Sequence, residues 1–260
     1  FPTRRFSDLC QHQLNAQIRQ PVSEVKSKID GKPFLVAEVF CPPRFAPLVE
    51  GVKGVCRSYD LSTGYDFSKP AVRDQVAQEL RENPPDLLVL SPSCTHEGGW
   101  FNFNACTMDP HEYARKVRQS RLFIHFCSQL FEQQVKLGGR ALMEHPKGSK
   151  LWSYAEIRAL IEEHHLLTCH MCRYGLHIPK SKQLIRKATN LLVTHEDMRT
   201  LARECPGPQH PKHSCHQVIA GSDPEVGQIS TFAGKYTPQF VEAVMDTVPR
   251  FAQMKLERSE

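Results

Sequence analysis

Residues 34–40 read Phe-Leu-Val-Ala-Glu-Val-Phe, a short and almost continuous apolar run that follows a polar segment. A run of this length and character is typical of a strand that is buried on both faces of a sheet. The same pattern returns in residues 86–91 (DLLVLS) and 139–145 (GRALMEH), and more weakly in residues 54–61 (GVCRSYDL). Four strands of this kind form the predicted centre of the fold.

Segments with helical spacing of apolar residues separate these strands. They are residues 71–83, which end before two prolines, residues 110–138, which end at a Gly-Gly pair, and residues 154–165. Proline and glycine are the usual stop signals of helices. Strands that alternate with helices of this length predict an α/β fold, a Rossmann-like core whose mostly parallel sheet is covered on both faces.

Composition limits the cellular setting and the partners. The 33 Lys and Arg residues exceed the 28 acidic ones, and the net charge of +5 leans toward an anionic partner without proving one. Apolar runs stay well below the roughly 18–20 residues of a membrane span, and the first ten residues lack the apolar core of a signal peptide. We expect a soluble, intracellular protein without membrane association, nuclear in a eukaryote. Because the chain opens with Phe, we expect a trimmed chain or a segment of a longer polypeptide.

Changes in residue composition and in the spacing of apolar residues divide the chain into four predicted parts. Residues 1–33 form an N-terminal helical arm, because apolar residues recur there at spacings of three and four. Residues 34–168 form the core, and residues 169–222 form a Cys/His-rich insert. Residues 223–260 contain a C-terminal helix that closes the core.

The insert carries the pattern of a metal site. Residues 169–216 hold four of the ten cysteines and six of the 13 histidines. Many cysteines without a secretory signal favour thiols and metal ligands over disulfides, and structural zinc takes four sulfur or nitrogen ligands. We predict a structural Zn²⁺ in a small zinc-tied insert, with His210 and Cys215 as substitute ligands. The predicted ligands are Cys172, Cys205, His213 and His216. The alternative is a polar surface loop whose histidines bind nothing.

Polar residues follow each predicted strand at its carboxyl end, where open α/β sheets bind their ligands. Glu38 and Phe40 end the first, Asp60 and Asp66 follow the second, Ser91, Pro92 and Cys94 follow the third, and Glu144 ends the fourth. A carboxylate after the second strand suits a ribose diol, because it can accept both hydroxyl hydrogens. Any single carboxylate is more commonly a loop charge or a helix cap. Four polar strand ends in order favour a binding site.

Cys94 and Glu144 make a chemically meaningful pair. A Pro-Ser-Cys turn at a strand end would hold the Cys94 thiol out of the core, where it can be activated as a thiolate. A lone cysteine is more commonly a small buried hydrophobe. However, a thiol that adds to C6 of a pyrimidine makes C5 nucleophilic only when N3 is protonated or hydrogen-bonded, and Glu144 can supply that proton.

The order of these residues, continued by Arg186 and by Gly-Lys-Tyr-Thr-Pro at 234–238, resembles the DNA cytosine-C5 methyltransferase family. It is similar to a divergent retroelement and environmental branch in SPSCT (91–95), MEHP (143–146) and the Cys/His stretch 205–216. The resemblance covers about residues 34–250. Ser93 stands where the family has Pro, and Cys41-Pro-Pro replaces its first glycine-rich loop.

The resemblance implies methylation of cytosine at C5 in DNA, with S-adenosyl-L-methionine as methyl donor. It implies Cys94 as nucleophile, Glu144 as acid and Arg186 as the residue that orients the ring. The cofactor would be held by Glu38, Phe40, Asp60, Asp66, Ser91 and Pro92. Two alternatives stay open: a catalytically inert nucleic-acid-binding module of a mobile-element polyprotein, and the same chemistry on RNA or a free nucleotide.

Two further groups of residues have both a functional and an ordinary interpretation. Trp100, Phe101 and Phe103 could stack on a flipped base or simply pack in a loop. The basic residues of 180–187 could contact phosphates or remain solvated charges.

Overall fold

The structure is a computed structural model that describes residues 32–97 and 107–257. The described residues from Phe34 onward group into one compact unit. The predicted N-terminal arm, apart from its last two residues, and the aromatic residues Trp100, Phe101 and Phe103 lie outside the described residues.

A six-stranded sheet forms the centre of the unit, in the order β2-β1-β3-β4-β6-β5. The strands are β1 (Leu35–Val39), β2 (Val55–Tyr59), β3 (Leu87–Leu90), β4 (Arg140–Pro146), β5 (His165–His170) and β6 (Ala188–Val193). Strands β1 to β4 are parallel, and β6 runs antiparallel to both of its neighbours. A two-stranded ribbon, β7 (Ser222–Asp223) with β8 (Gly227–Gln228), lies apart from this sheet.

Seven α-helices are described. They are α1 (Ala46–Gly51), α2 (Pro70–Glu82), α3 (Pro110–Lys136), α4 (Ala155–Glu163), α5 (Ile229–Ala233), α6 (Pro238–Asp246) and α7 (Pro249–Leu256). Proline opens α2, α3, α6 and α7, at the position where its missing N–H costs no helical hydrogen bond. Short 3₁₀ helices cover Leu61–Thr63, Lys150–Ser153, Met171–Tyr174, Glu196–Leu201 and Pro211–His213.

The sheet separates two hydrophobic cores. Alternate residues of a strand point to opposite faces, so Ala37 and Val39 face the core that α2, α3 and α4 build, whereas Val36 faces the other. That second core takes its apolar side chains from α1, α6, α7 and the segment around β5 and β6. Every residue of β1 and β3 is buried, as their continuous apolar runs predicted. The Rossmann-like α/β core is therefore confirmed.

Two of the predicted parts contain elements that the sequence pattern did not indicate. Strand β6 lies inside the range assigned to the insert, so the sheet continues through residues 169–222 and the Cys/His-rich segments are loops on its edge. The C-terminal segment, expected to contain one helix, contains α5, α6 and α7, because Pro249 cannot continue α6 and begins a new helix instead.

No helix in residues 32–97 and 107–257 has both the length and the apolar character that crossing a membrane requires.

Candidate functional site

At the carboxyl edge of the parallel strands, the direction in which the chain adds strands to the sheet reverses. From β1 the chain moves to β2 on one side, and then crosses back to β3 on the other side of β1. In open α/β sheets the crevice at such a switch point is the usual ligand site. The predicted residues of the first four strand ends therefore share one edge of the sheet.

Glu144 lies at the centre of a buried polar network on this edge. The Lys187 ammonium donates to Glu144 Oε1 at 3.1 Å, and the Tyr236 hydroxyl donates to Oε2 at 3.4 Å. The side chains of Glu144 and Lys187 are only 9% and 14% exposed. The Tyr236 hydroxyl also makes a short hydrogen bond with Ser91 Oγ at the end of β3. One tyrosine thus ties the ends of β3 and β4 together.

Cys94 follows β3, and the charges of Lys187 and Glu144 in this network act on its thiol. The residue is exposed, but protein atoms crowd its sulfur enough that desolvation raises the pKa of the thiol. The positive charge of Lys187 lowers the pKa and the negative charge of Glu144 raises it. The turn was expected to activate Cys94 as a thiolate, and the structure reverses that direction, because removal of water is the largest effect. Lys187 is the group that opposes it.

The end of β1 adopts an unusual backbone conformation. Phe40 has a φ of 61°, in the left-handed region that favours glycine, and its N–H donates to the Tyr59 carbonyl. Its ring packs on Phe67 and Phe123, with ring centroids 4.4 and 5.0 Å apart. Strain of this kind clusters at functional sites. Phe40 is therefore a half-buried aromatic residue at the switch point, and Pro92 is buried directly after β3.

Glu38 has a different environment from the one predicted. Its carboxylate is fully buried and accepts the Arg44 N–H at 3.0 Å, the Phe45 N–H at 3.3 Å and the Cys56 thiol at 3.2 Å. Burial raises the pKa of Glu38, and these donors lower it. Both oxygens are thus engaged by the loop that returns from β1 to α1. The expected contact with a ribose is corrected to an anchor for this loop.

Asp60 and Asp66 remain at the surface of the edge after β2. Asp60 caps the 3₁₀ helix Leu61–Thr63, and its Oδ1 accepts both the Ser62 N–H and the Ser62 hydroxyl, at 2.9 and 2.6 Å. Asp66 accepts the N–H and hydroxyl of Ser68, which lowers its pKa. The side-chain hydrogen bonds of Asp60 to described residues therefore leave Oδ2 available for a ligand.

Arg186 and Lys187 point in opposite directions where the chain enters β6, as consecutive residues of an extended segment do. The Arg186 guanidinium lies 3.5 Å from His170 Nε2, away from Glu144. The structure therefore does not bring the predicted ring-orienting arginine to the Cys94 and Glu144 pair. Lys187 is the cation that faces Glu144.

The four cysteine and histidine residues selected by spacing converge on one point. Each of Cys172, Cys205, His213 and His216 offers one ligand atom, and these atoms all lie within 4.8 Å of one another. Cys205 Sγ is 3.5 Å from His213 Nδ1 and 3.7 Å from His216 Nε2. The substitutes lie elsewhere: Cys215 is exposed and accepts a hydrogen bond from Gln183, and His210 caps the following 3₁₀ helix.

This donor set fits a zinc ion. Zinc–sulfur and zinc–nitrogen bonds of about 2.3 and 2.0–2.1 Å in a tetrahedron put neighbouring ligand atoms about 3.3–3.8 Å apart. The two distances from Cys205 Sγ fall inside that window. A further contact supports the cluster from outside, since the Cys205 N–H donates to His170 Nδ1 at 2.9 Å. Two thiols and two imidazoles at these separations are able to hold one Zn²⁺.

Two residues of the network escaped the sequence analysis as parts of the site. Lys187 is one of the basic residues of 180–187, for which the sequence predicts phosphate contacts or solvated charges, although strand alternation beside Arg186 separates the two side chains. Tyr236 lies within the 234–238 motif, but a tyrosine in a loop has no spacing signal of its own.

Comparisons with known proteins add little. No protein-family model matches the chain, and no curated protein matches it in sequence. Among solved structures, the methyltransferase EhMeth of Entamoeba histolytica aligns with 62% of this chain and 52% of its own, at 9% identity and a TM-score of 0.35. The chain thus spans about half of that structure, and a likeness this weak carries no argument about function.

Proposed function

We propose that the protein methylates cytosine at C5, with DNA as the proposed substrate, through a covalent bond between Cys94 and C6 of the base. The observation that carries the proposal is the meeting of a thiol, a buried carboxyl group and a buried ammonium at one strand edge. Lys187 donates to Glu144, and both charges act on the Cys94 thiol.

The roles follow from the chemistry of the pyrimidine ring. The Cys94 thiol gives its proton to water and the thiolate adds to C6, while N3 takes up a proton that Glu144 relays from water, which leaves C5 electron-rich. After a methyl group has reached C5, water takes the C5 proton, N3 returns its proton to Glu144, the C5–C6 double bond re-forms and the sulfur leaves C6 as the thiolate. Lys187 holds the Glu144 carboxyl group in place and favours the Cys94 thiolate, so one cation serves both steps.

The switch point fits the proposed methyl donor in part. When bound, S-adenosyl-L-methionine supplies an electrophilic methyl group. Asp60 offers a carboxylate oxygen for the ribose diol, and the half-buried ring of Phe40 offers an apolar surface for a base. Asp66, Ser91 and Pro92 stay in the proposal as neighbours of this crevice. Glu38 is not part of the proposed donor site, because its carboxylate is buried against the loop of Arg44 and Phe45.

Zinc completes the proposal as a structural ion bound by Cys172, Cys205, His213 and His216. The separations of the ligand atoms support this assignment. The ion would join the loop 205–216, which has few apolar residues of its own, to the buried segment of Cys172 that follows β5.

Incubation with a labelled methyl donor and a panel of single- and double-stranded DNA and RNA tests the activity. We expect label in the cytosine of DNA, and none with Cys94→Ala. Label in RNA or a free nucleotide alone would shift the substrate class. Donor binding without transfer to any nucleic acid would favour the inert binding module.

A further inference from the structure

Glu97, three residues after Cys94, is a buried carboxylate that takes no part in the proposed reaction. It is 2% exposed, and its two oxygens accept hydrogen bonds from different elements. Ser120 Oγ of α3 donates to Oε1 at 2.5 Å, and the Tyr154 hydroxyl, at the start of α4, donates to Oε2 at 2.7 Å. A carboxylate is retained in the interior only where such partners replace its water.

The backbone of Glu97 is held as well. Its N–H donates to the Cys94 carbonyl at 3.1 Å and closes the turn that carries the nucleophile. Its carbonyl accepts the Lys150 N–H at 3.2 Å. The Tyr154 ring is fixed in turn, because the Arg121 guanidinium lies over it at 3.9 Å from the ring centroid. One residue therefore joins the turn to α3, to the 3₁₀ helix Lys150–Ser153 and to α4.

The middle of the turn is exposed, although the Ser93 backbone lies beside the buried His145 ring. Ser93 and Thr95 are exposed, and their hydroxyls bond to each other at 3.0 Å. A contact between two exposed neighbours does not fix a turn to the body of the protein. Ser91 and the buried Pro92 hold the start of the turn, and Glu97 ties its other end to α3 and α4.

We propose that Glu97 is a positioning residue that holds the Cys94 turn at the sheet edge through Ser120 and Tyr154. The inference rests on the proposed function only in taking Cys94 as the reactive thiol. Hydrogen bonds rather than charge make the anchor, so Glu97→Gln keeps it: the amide oxygen accepts from one hydroxyl and the amide N–H donates to the other. Glu97→Ala removes it.

The reactivity of Cys94 toward iodoacetamide, mapped by peptide mass spectrometry over a range of pH in zinc-loaded protein, tests this. Lys187 and Glu144 are the charged groups that act on Cys94, and their effects oppose each other. A loosened turn therefore mainly returns water to the thiol. We expect the Glu97→Ala profile to move to lower pH and Cys94 alkylation near neutral pH to rise about threefold or more. Glu97→Gln and the surface control Glu132→Ala should match wild type.

Cys127, fully buried in α3, reports unfolding in the same digest. If Cys127 becomes labelled in the Glu97→Ala variant, that variant has unfolded and the Tyr154→Phe variant is used instead. Tyr154→Phe removes one hydroxyl and leaves the aromatic ring under Arg121. An unchanged Cys94 profile in a folded Glu97→Ala or Tyr154→Phe variant overturns the proposal, and so does a Gln variant that behaves like Ala. Alkylation needs no methyl transfer, so it separates this proposal from the proposed function. Where transfer is measurable, kcat should fall by about 10–100-fold, since a misplacement of about 1 Å can cost about 10²-fold.

Discussion

His145 should make the protein sensitive to mild acid. Its ring lies inside β4 at 1% exposure, and neither ring nitrogen has a hydrogen bond of normal geometry to a described residue, although the Ser93 backbone is close enough to favour the charged ring weakly. Burial lowers the pKa of His145 from 6.5 to about 4, against the opposing effect of Glu144 and Glu97.

The sign follows from proton binding. Between about pH 6.5 and 4 the unfolded chain protonates this histidine and the folded protein does not, so stability falls as the pH falls. At about 1.36 kcal/mol per pKa unit, the full loss is about 3 kcal/mol, of which about 2 kcal/mol appears between pH 7.5 and pH 5.0. The stability is fully present above the unfolded pKa.

Urea unfolding at those two pH values measures this in wild type, His145→Phe and the exposed control His111→Phe. The comparison is between variants at each pH, so any pH effect on the metal cluster cancels. We expect His145→Phe to lose about 2 kcal/mol less than wild type on acidification, and His111→Phe to follow wild type. Parallel losses in all three proteins would refute the assignment of the buried neutral ring.

Lys187→Met should destabilise the fold by about 3–5 kcal/mol, because it leaves a buried carboxylate unpaired, and adding Glu144→Gln should recover part of the loss; additive effects in urea unfolding would contradict the pair. Cys205→Ala should lower both the zinc content, measured against about one ion per wild-type chain, and the melting temperature, whereas Cys215→Ala should change neither; stable wild-type protein without zinc would end the zinc proposal. Asp60→Ala should weaken calorimetric binding of the methyl donor by about 30- to 150-fold, or about 2–3 kcal/mol, and unaltered binding would remove Asp60 from the site.

The central strands could be predicted because their burial is reflected in the apolar residues of the strands themselves. A strand buried on both faces needs a nearly continuous apolar run. β3 is apolar throughout, β1 is interrupted only by Glu38, and β4 has a shorter run in residues 141–143. Strand β6 was missed because it lies among cysteines and histidines, where the surrounding composition indicated a loop. Its place depends on pairing with β4 and β5, whose paired residues lie 43 to 51 and 18 to 28 positions earlier in the chain.

The site was predictable as a set of strand ends but not as a set of contacts. Cys94 and Glu144 followed from their positions at the carboxyl edge. The engagement of Glu38 depends on how the loop of Arg44 and Phe45 folds back, and no local pattern encodes that return. The choice between Arg186 and Lys187 depends on the direction of the chain as it enters β6.

Covalent trapping tests the central claim most directly. An oligonucleotide that contains 5-fluorocytosine, given with the methyl donor, cannot complete the reaction, because fluorine at C5 cannot leave as a cation. If Cys94 attacks C6, the adduct survives denaturing electrophoresis with wild type, is absent with Cys94→Ser, and forms about 10²–10⁴-fold more slowly with Glu144→Gln. An adduct that persists in Cys94→Ser would contradict the account and assign the nucleophile to another cysteine. Cys106, which lies outside the described residues, would be the first cysteine to replace.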